Sequence, residues 1–301
     1  MAVAATDARP AAPSGASLML RLLWRDPLAV ASLSFLLLVV LCAVFGPWLL
    51  GDTGTRPNLR LRNAPPFDLS QGWLYILGAD ALGRSMLARL ITASQNTLAI
   101  AAAAVAVSMV LGGALGLIAG YGRAWVGEVV MRLTDIIMSF PSLLLAVVIL
   151  YMFEPRVLNI VIVLAVTRLP VYIRTTRAEV LELRERAFVN AARVMGASPT
   201  RIVIRHILPM VLSTLLTIAT VEFAYVMLAE SGLSFLGIGI QPPEATWGLM
   251  VAQGRNYLAT AWWLAFFPGL AIVLTTLSAN LLSSWLRIAA DPLQRWRLEG
   301  R

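Results

Sequence analysis

Long uncharged apolar runs recur along this chain, each of a length that matters to a bilayer. A helix crossing the hydrocarbon of a membrane needs ~20 mostly apolar residues. Leu28–Leu50 carries no charge, and Thr97–Tyr121 is uncharged and rich in alanine. Ile136–Phe153 is interrupted by Pro141, and Val157–Ile173 carries Arg168 near its end. Ile207–Ala229 carries Glu222, while Leu258–Leu286 is uncharged and long enough to cross with tilt. The pattern predicts an all-α membrane protein of six transmembrane helices. The first run exceeds the ~7–15 residues of a signal-peptide core and no small-residue cleavage site follows it, so it reads as a retained span. The expected organisation is a flexible cytoplasmic leader over 1–22, rich at its start in Ala, Pro and Ser, then a first helix with its outer loop over 23–96. A five-helix core follows over 97–290, and a short cytoplasmic tail over 291–301.

The polar positions inside these runs add detail. Gly112, Gly116 and Gly120 form two overlapping GxxxG steps, which let helices approach closely where lipid supplies no hydrophobic drive. Charges within spans are costly and are usually paired or face water. Arg168 and Glu222, on the fourth and fifth spans, are therefore candidate intramembrane partners. Glu230 and Asp135 fall near span ends, where exposure at the membrane interface is the cheaper arrangement. Asp135 also lies three residues from Arg132, a spacing that permits an ion pair on one helix face.

Composition agrees with a membrane chain and narrows its chemistry. Of 301 residues, 59% are hydrophobic and 13% are charged, against roughly a quarter charged in soluble domains. The net charge of +8 does not point to nucleic acid, because the arginines stand between apolar spans, where they meet headgroups or fix topology. All 24 basic residues are Arg, so the Lys that reaches the phosphates in a P-loop is missing and any ATP hydrolysis has to come from a partner. Cys42 is the one cysteine and His206 the one histidine. No intrachain disulfide, multi-histidine metal site or nucleophile–base pair can be assembled from them. Placing both termini in the cytoplasm puts 16 arginines in cytoplasmic segments and seven outside, the direction that membrane topology favours.

The segment over 174–209 is polar and basic between two apolar runs. Glu179–Met195 contains good helix formers and neither Gly nor Pro. Gly196 suits the left-handed position that ends a helix, Ser198 suits an N-cap, and Pro199 the first helical position. A second helix is expected from Thr200 into the membrane. Together these make a cytoplasmic knob whose tip, Asn190, Ala191, Ala192, Gly196 and Ala197, is small enough for another protein to close upon. An ordinary solvated loop is the plainer alternative.

"NAARVMGASPTRIVIRHILP" resembles the EAA loop of ABC-importer permeases. Ala191, Ala192, Gly196, Leu208 and Pro209 match that motif at its spacing, while Asn190 replaces its glutamate and His206 its isoleucine. The resemblance extends to the "C"-type permeases for dipeptides, oligopeptides and nickel. It is carried by "LWRDPLAVASLSFLLLVVL", "LGADALGRSMLARL", "MRLTDIIMSFPSLLLA", "ESGLSFLGIGIQPPEATWGLM" and "FPGLAIVLTTLSANLL" in order. Ala79 and Ser85 depart from the second of these segments, and Ser283–Ser284 replaces the family's closing Gly-Asp. The resemblance implies a multi-pass subunit of the bacterial inner membrane that forms half of a translocation pathway with a related "B"-type permease. It implies two ABC ATPase subunits holding ATP and Mg on the cytoplasmic side, and an extracytoplasmic substrate-binding protein on the outer face. This chain then carries no cofactor and is not itself an enzyme. Substrates of such systems include dipeptides, oligopeptides, nickel chelates and glutathione.

Two other classes compete. An ion-coupled secondary transporter usually shows inverted repeats and broken helices around midplane charges; no convincing repeat is visible here, although Pro141 could break the third span. A non-transporting membrane adaptor is consistent with composition alone.

Overall fold

A computed structural model describes residues 15–153 and 156–290. The chain forms eleven α-helices among the described residues: α1 (Gly15–Arg25), α2 (Pro27–Leu50), α3 (Met86–Tyr121), α4 (Ala124–Met138), α5 (Ser142–Met152), α6 (Val157–Leu183), α7 (Ala187–Val194), α8 (Pro199–Ile202), α9 (Leu208–Phe235), α10 (Trp247–Gly254) and α11 (Trp263–Ala290). Five helices are long and apolar enough to cross a membrane. The pair α4 and α5, bent by 85° at its break, is together long and apolar enough for a sixth, as one broken span. The bend lies at Ser139–Pro141, where Pro141 immediately precedes α5. A proline ring restricts the residue before it to extended backbone and so ends the incoming helix. Side chains such as Leu37, Leu41, Val44 and Leu144 are exposed, as lipid-facing positions must be.

Only part of the expected leader is described, and from Gly15 onward it is helical. The Asp26 carboxylate accepts from the N–H groups of Leu28 and Ala29, and Pro27 occupies the first turn, so "RDP" stops α1 and starts α2. Leu22 of α1 packs with Ala29, Trp285 and Ala289. The tail over 291–301 lies outside the described residues.

The core is organised around α3 and α6. A Cβ on Gly112 would lie 2.6 Å from the Tyr172 Cβ, one on Gly116 2.4 Å from the Thr176 Cβ, and one on Gly120 2.7 Å from the Val180 Cβ. Three glycines spaced by four thus meet three α6 side chains spaced by four, and the GxxxG run is a close helix contact. Ser108 continues the seam, donating to the carbonyl of Ala165 at 3.2 Å.

Candidate functional site

The end of the molecule where α6 hands over to α9 is a compact knob. Residues 179–195 form two helices rather than the expected one, because α6 stops at Leu183 and α7 begins at Ala187. Helix propensity alone does not predict this break; tertiary contact overrides it. Arg184 donates to the carbonyl of Gly120 at 3.1 Å, capping the end of α3. The turn that follows lets α7 fold back, so that Val189 and Ala192 join Leu183, Ile202 and Ile207 in the hydrophobic core.

The tip closes as the sequence suggests. Gly196 has φ of +83°. Its N–H reaches the carbonyl of Arg193, and the N–H of Ala197 that of Ala192, both at 3.0 Å. This pair of bonds is a Schellman closure. Ser198 then caps the next helix, its hydroxyl accepting from the N–H of Arg201 at 3.4 Å, with Pro199 in the first turn. Pro209 has no N–H for the carbonyl of Arg205 and its ring crowds that group. The helix correspondingly widens to a π turn over Val203–Ile207 before α9 continues into the bundle.

The small residues of the tip do not share one role. Ala192 is 4% exposed and belongs to the knob's own core, whereas Ala191, Gly196 and Asn190 face outward. Leu208 is half-buried and Pro209 exposed. Large apolar side chains stand uncovered beside the small ones: Val194 is 88% exposed and Met195 81%. Asn190 donates to the carbonyl of Glu185 at 3.4 Å and accepts from Arg193 at 3.3 Å.

A second constellation sits within the spans, beside the α4–α5 bend. Arg168 of α6 lies 3.7 Å from the carboxylate of Glu222 on α9. Its guanidinium also stacks 4.0 Å from the centre of the Tyr225 ring, and the Tyr225 hydroxyl meets that of Ser142 at 3.2 Å. The expected Arg168–Glu222 pair is therefore present, and it ties α5, α6 and α9 together. A cavity of about 260 Å³ adjoins it, lined in part by Phe140, Ser142, Thr167 and Arg168.

Two other charges depart from expectation. Glu230 is fully buried, not exposed at an interface: α10 packs over it, and it accepts from the Ser234 hydroxyl at 2.7 Å. Asp135 pairs with Arg174 of α6 rather than with Arg132. Neither helix rotation nor the position of α10 can be read from spacing along one chain.

The third region, at the opposite end of α3, was visible in the sequence only as a quoted motif. Asp80 Oδ1 accepts from the N–H groups of Leu82 and Arg84, at 2.8 and 2.9 Å. Its Oδ2 accepts from Arg84 Nε and Arg89 Nη1, both at 2.7 Å. Arg89 also donates to Gln253 of α10 at 3.1 Å. Gly83, with φ of +73°, passes so close to Asn58 that a Cβ would lie 1.7 Å from its carbonyl oxygen. The indole N–H groups of Trp247 and Trp263 donate to the carbonyls of Leu90 and Ala79 at 2.8 and 3.2 Å. Residues 51–85 are thus latched to α3 through Arg89 and to α11 through Trp263 as a cap, while Trp247 and Gln253 tie α10 to α3.

A bundle of five long apolar helices with a bent α4–α5 pair, and a knob between α6 and α9, defines a multi-pass membrane protein. The chain belongs to the binding-protein-dependent transport system inner membrane component family, whose model matches residues 112–295. A second model, the N-terminal TM domain of oligopeptide transport permease C, matches residues 16–66. The di/tripeptide transport system permease protein DppC of Pseudomonas aeruginosa (strain UCBPP-PA14) is 40% identical over 265 residues, covering 88% of each chain. The probable D,D-dipeptide transport system permease protein DdpC of Escherichia coli (strain K12) is 34% identical, covering 90% of this chain and 91% of its own. The glutathione transport system permease protein GsiD of Pectobacterium atrosepticum is also 34% identical, covering 89% and 88%. A chain of the inward-facing MetNI methionine ABC transporter shares the fold with TM-score 0.55 at 21% identity, over 68% of this chain and 97% of that one. These matches favour an ABC-importer permease over an ion-coupled transporter or an adaptor. The family is a permease subunit, not an enzyme.

Proposed function

We propose that this chain forms half of the translocation pathway of an ATP-driven importer for peptides or peptide-like solutes, and that its knob is the seat for a separate ATPase. The observation that carries the coupling role is the exposure of Phe188, Val194 and Met195 around the Gly196 turn. Large apolar side chains grouped at a rigid projection mark a protein-binding surface. The substrate class rests on the relatives, whose names specify di/tripeptides, D,D-dipeptides and glutathione.

In this reading a "B"-type permease completes the pathway, and two ABC ATPases hold ATP and Mg. An extracytoplasmic binding protein delivers the solute, and both termini of this chain face the cytoplasm of a bacterial inner membrane. Closure of the ATPases moves the knob. The knob's own core joins α6 to α9, so its displacement reaches the Arg168–Glu222–Tyr225 contact and the α4–α5 bend. Arg168, Glu222 and Glu230 then serve helix registry near the pathway rather than chemistry.

Orientation is tested with Ser70→Cys and Ser198→Cys, each in a Cys42→Ser background. The two positions are exposed at opposite ends of the bundle and should label from opposite sides of the membrane. Labelling of position 70 from the cytoplasm alone would overturn the arrangement. The purified chain should bind no ATP until its ATPase partner is added; tight binding by the chain alone contradicts the division of labour.

A further inference from the structure

Between the Asp80–Arg84 turn and α10 lies a cavity of about 290 Å³, lined among others by Asp80, Arg84, Arg89, Gln253, Asn256 and Tyr257. Its charges do not balance. The two guanidiniums share one carboxylate, and no other acidic side chain lines the cavity. Asp80 already accepts four hydrogen bonds, two on each oxygen, so it has little capacity for further donors. Arg84 engages its Nε, while its two Nη groups make no hydrogen bond among the described residues. Arg89 is 7% exposed on its side chain and forms the fixed floor; Arg84, at 20%, stands at the opening.

This excess of positive charge is not a topological signal. The knob and the cavity lie at opposite ends of α3, about 50 Å apart for a 36-residue helix. Arginine is disfavoured on the side away from the cytoplasm, yet two are held here in fixed geometry by Asp80 and Gln253. A planar guanidinium with two parallel N–H groups free is suited to a carboxylate, which it can bind in a fork. Low local dielectric strengthens that attraction relative to the open surface.

We propose that this cavity is a carboxylate-accepting site, with Arg84 as the binding group and Asp80, Arg89 and Gln253 as the frame that positions it. The carboxylate comes from one of two sources: the C-terminus of a short peptide or an acidic side chain of the docked binding protein. The sources, though not the cavity, rest on the importer reading.

The test uses Asn256→Cys in a Cys42→Ser background, in the assembled transporter. A negatively charged methanethiosulfonate should modify position 256 roughly tenfold faster than a positively charged one. Adding Arg84→Gln should remove that preference. Dialanine, but not alanine dipeptide amide, should slow modification if the source is a peptide terminus. Ligand-free binding protein should slow it if the source is a protein side chain. Equal rates for the two reagents, or no protection by either source, would overturn the proposal. Dialanine uptake by the unmodified assembly reports separately on the importer reading, so transport without a charge preference at position 256 rejects the cavity alone.

Discussion

The two ends of α3 solve opposite problems. At the cap, Arg84 and Arg89 are both bonded to the Asp80 carboxylate, and the Trp263 N–H latches the loop to α11. At the knob, Arg193, Arg201 and Arg205 are exposed, and apolar side chains stand beside them uncovered. The cap also leaves Leu59, Phe67, Leu69 and Trp73 exposed, so what sets it apart is the Asp80–Arg84–Arg89 network that holds its shape. The knob, which leaves Val194 and Met195 in the open while burying Val189 and Ala192 to stay rigid, is built to be covered. Rigid support beneath an exposed apolar patch reduces the ordering cost of binding.

If that contrast is right, substitutions at the two ends should fail differently. The largest effect is expected from Gly83→Ala, where a Cβ would collide with the Asn58 carbonyl and the backbone is left-handed. The cap should detach at a cost of about 3 kcal/mol or more, measured as early thermal unfolding and new protease sites within 51–85. Ala192→Glu comes next, since it forces a charge into the knob's own core. It should destabilise the knob by about 3 kcal/mol and abolish ATPase co-purification through misfolding, visible as faster hydrogen exchange over 187–207. Gly196→Val has open space around it and should suffer only the left-handed strain, ~1–2 kcal/mol; ATPase association should weaken while the bundle melts normally. Asn190→Glu, the smallest change, restores the family residue at an exposed site and should leave association within about twofold. Loss of the cap in the Ala192→Glu variant would show that the two ends are not independent.

Much of the bundle was legible because a bilayer demands long uncharged runs, and the runs beginning at Leu28, Thr97 and Val157 stand out without further help. The Gly112–Gly116–Gly120 spacing and the Gly196–Ser198–Pro199 turn were legible for local reasons, since each depends on neighbours within one or two helical turns. The Arg168–Glu222 pair followed from the cost of leaving either charge alone in a span. What sequence spacing missed depends on helix rotation and distant partners. Ala192 and Ala191 are adjacent in the motif, yet successive residues of α7 point about 100° apart, and only the face bearing Val189 and Ala192 packs into the core. Glu230 is covered by a short helix, α10, that carries no long apolar run to announce it. The Asp80–Arg89–Gln253 contact joins residues 164 positions apart, and only the fold brings them together.

The coupling role of the knob is tested most directly by Ala191→Glu in the reconstituted importer, reading solute uptake and ATP hydrolysis in the same vesicles. Ala191 is exposed, so the substitution leaves the knob's own core untouched. It should leave thermal stability unchanged while lowering uptake per ATP hydrolysed, or ATPase association itself, at least tenfold, the scale expected when a charge meets an apolar interface. Normal uptake at normal ATP use by this variant would contradict the account, and the knob would then be a solvated turn.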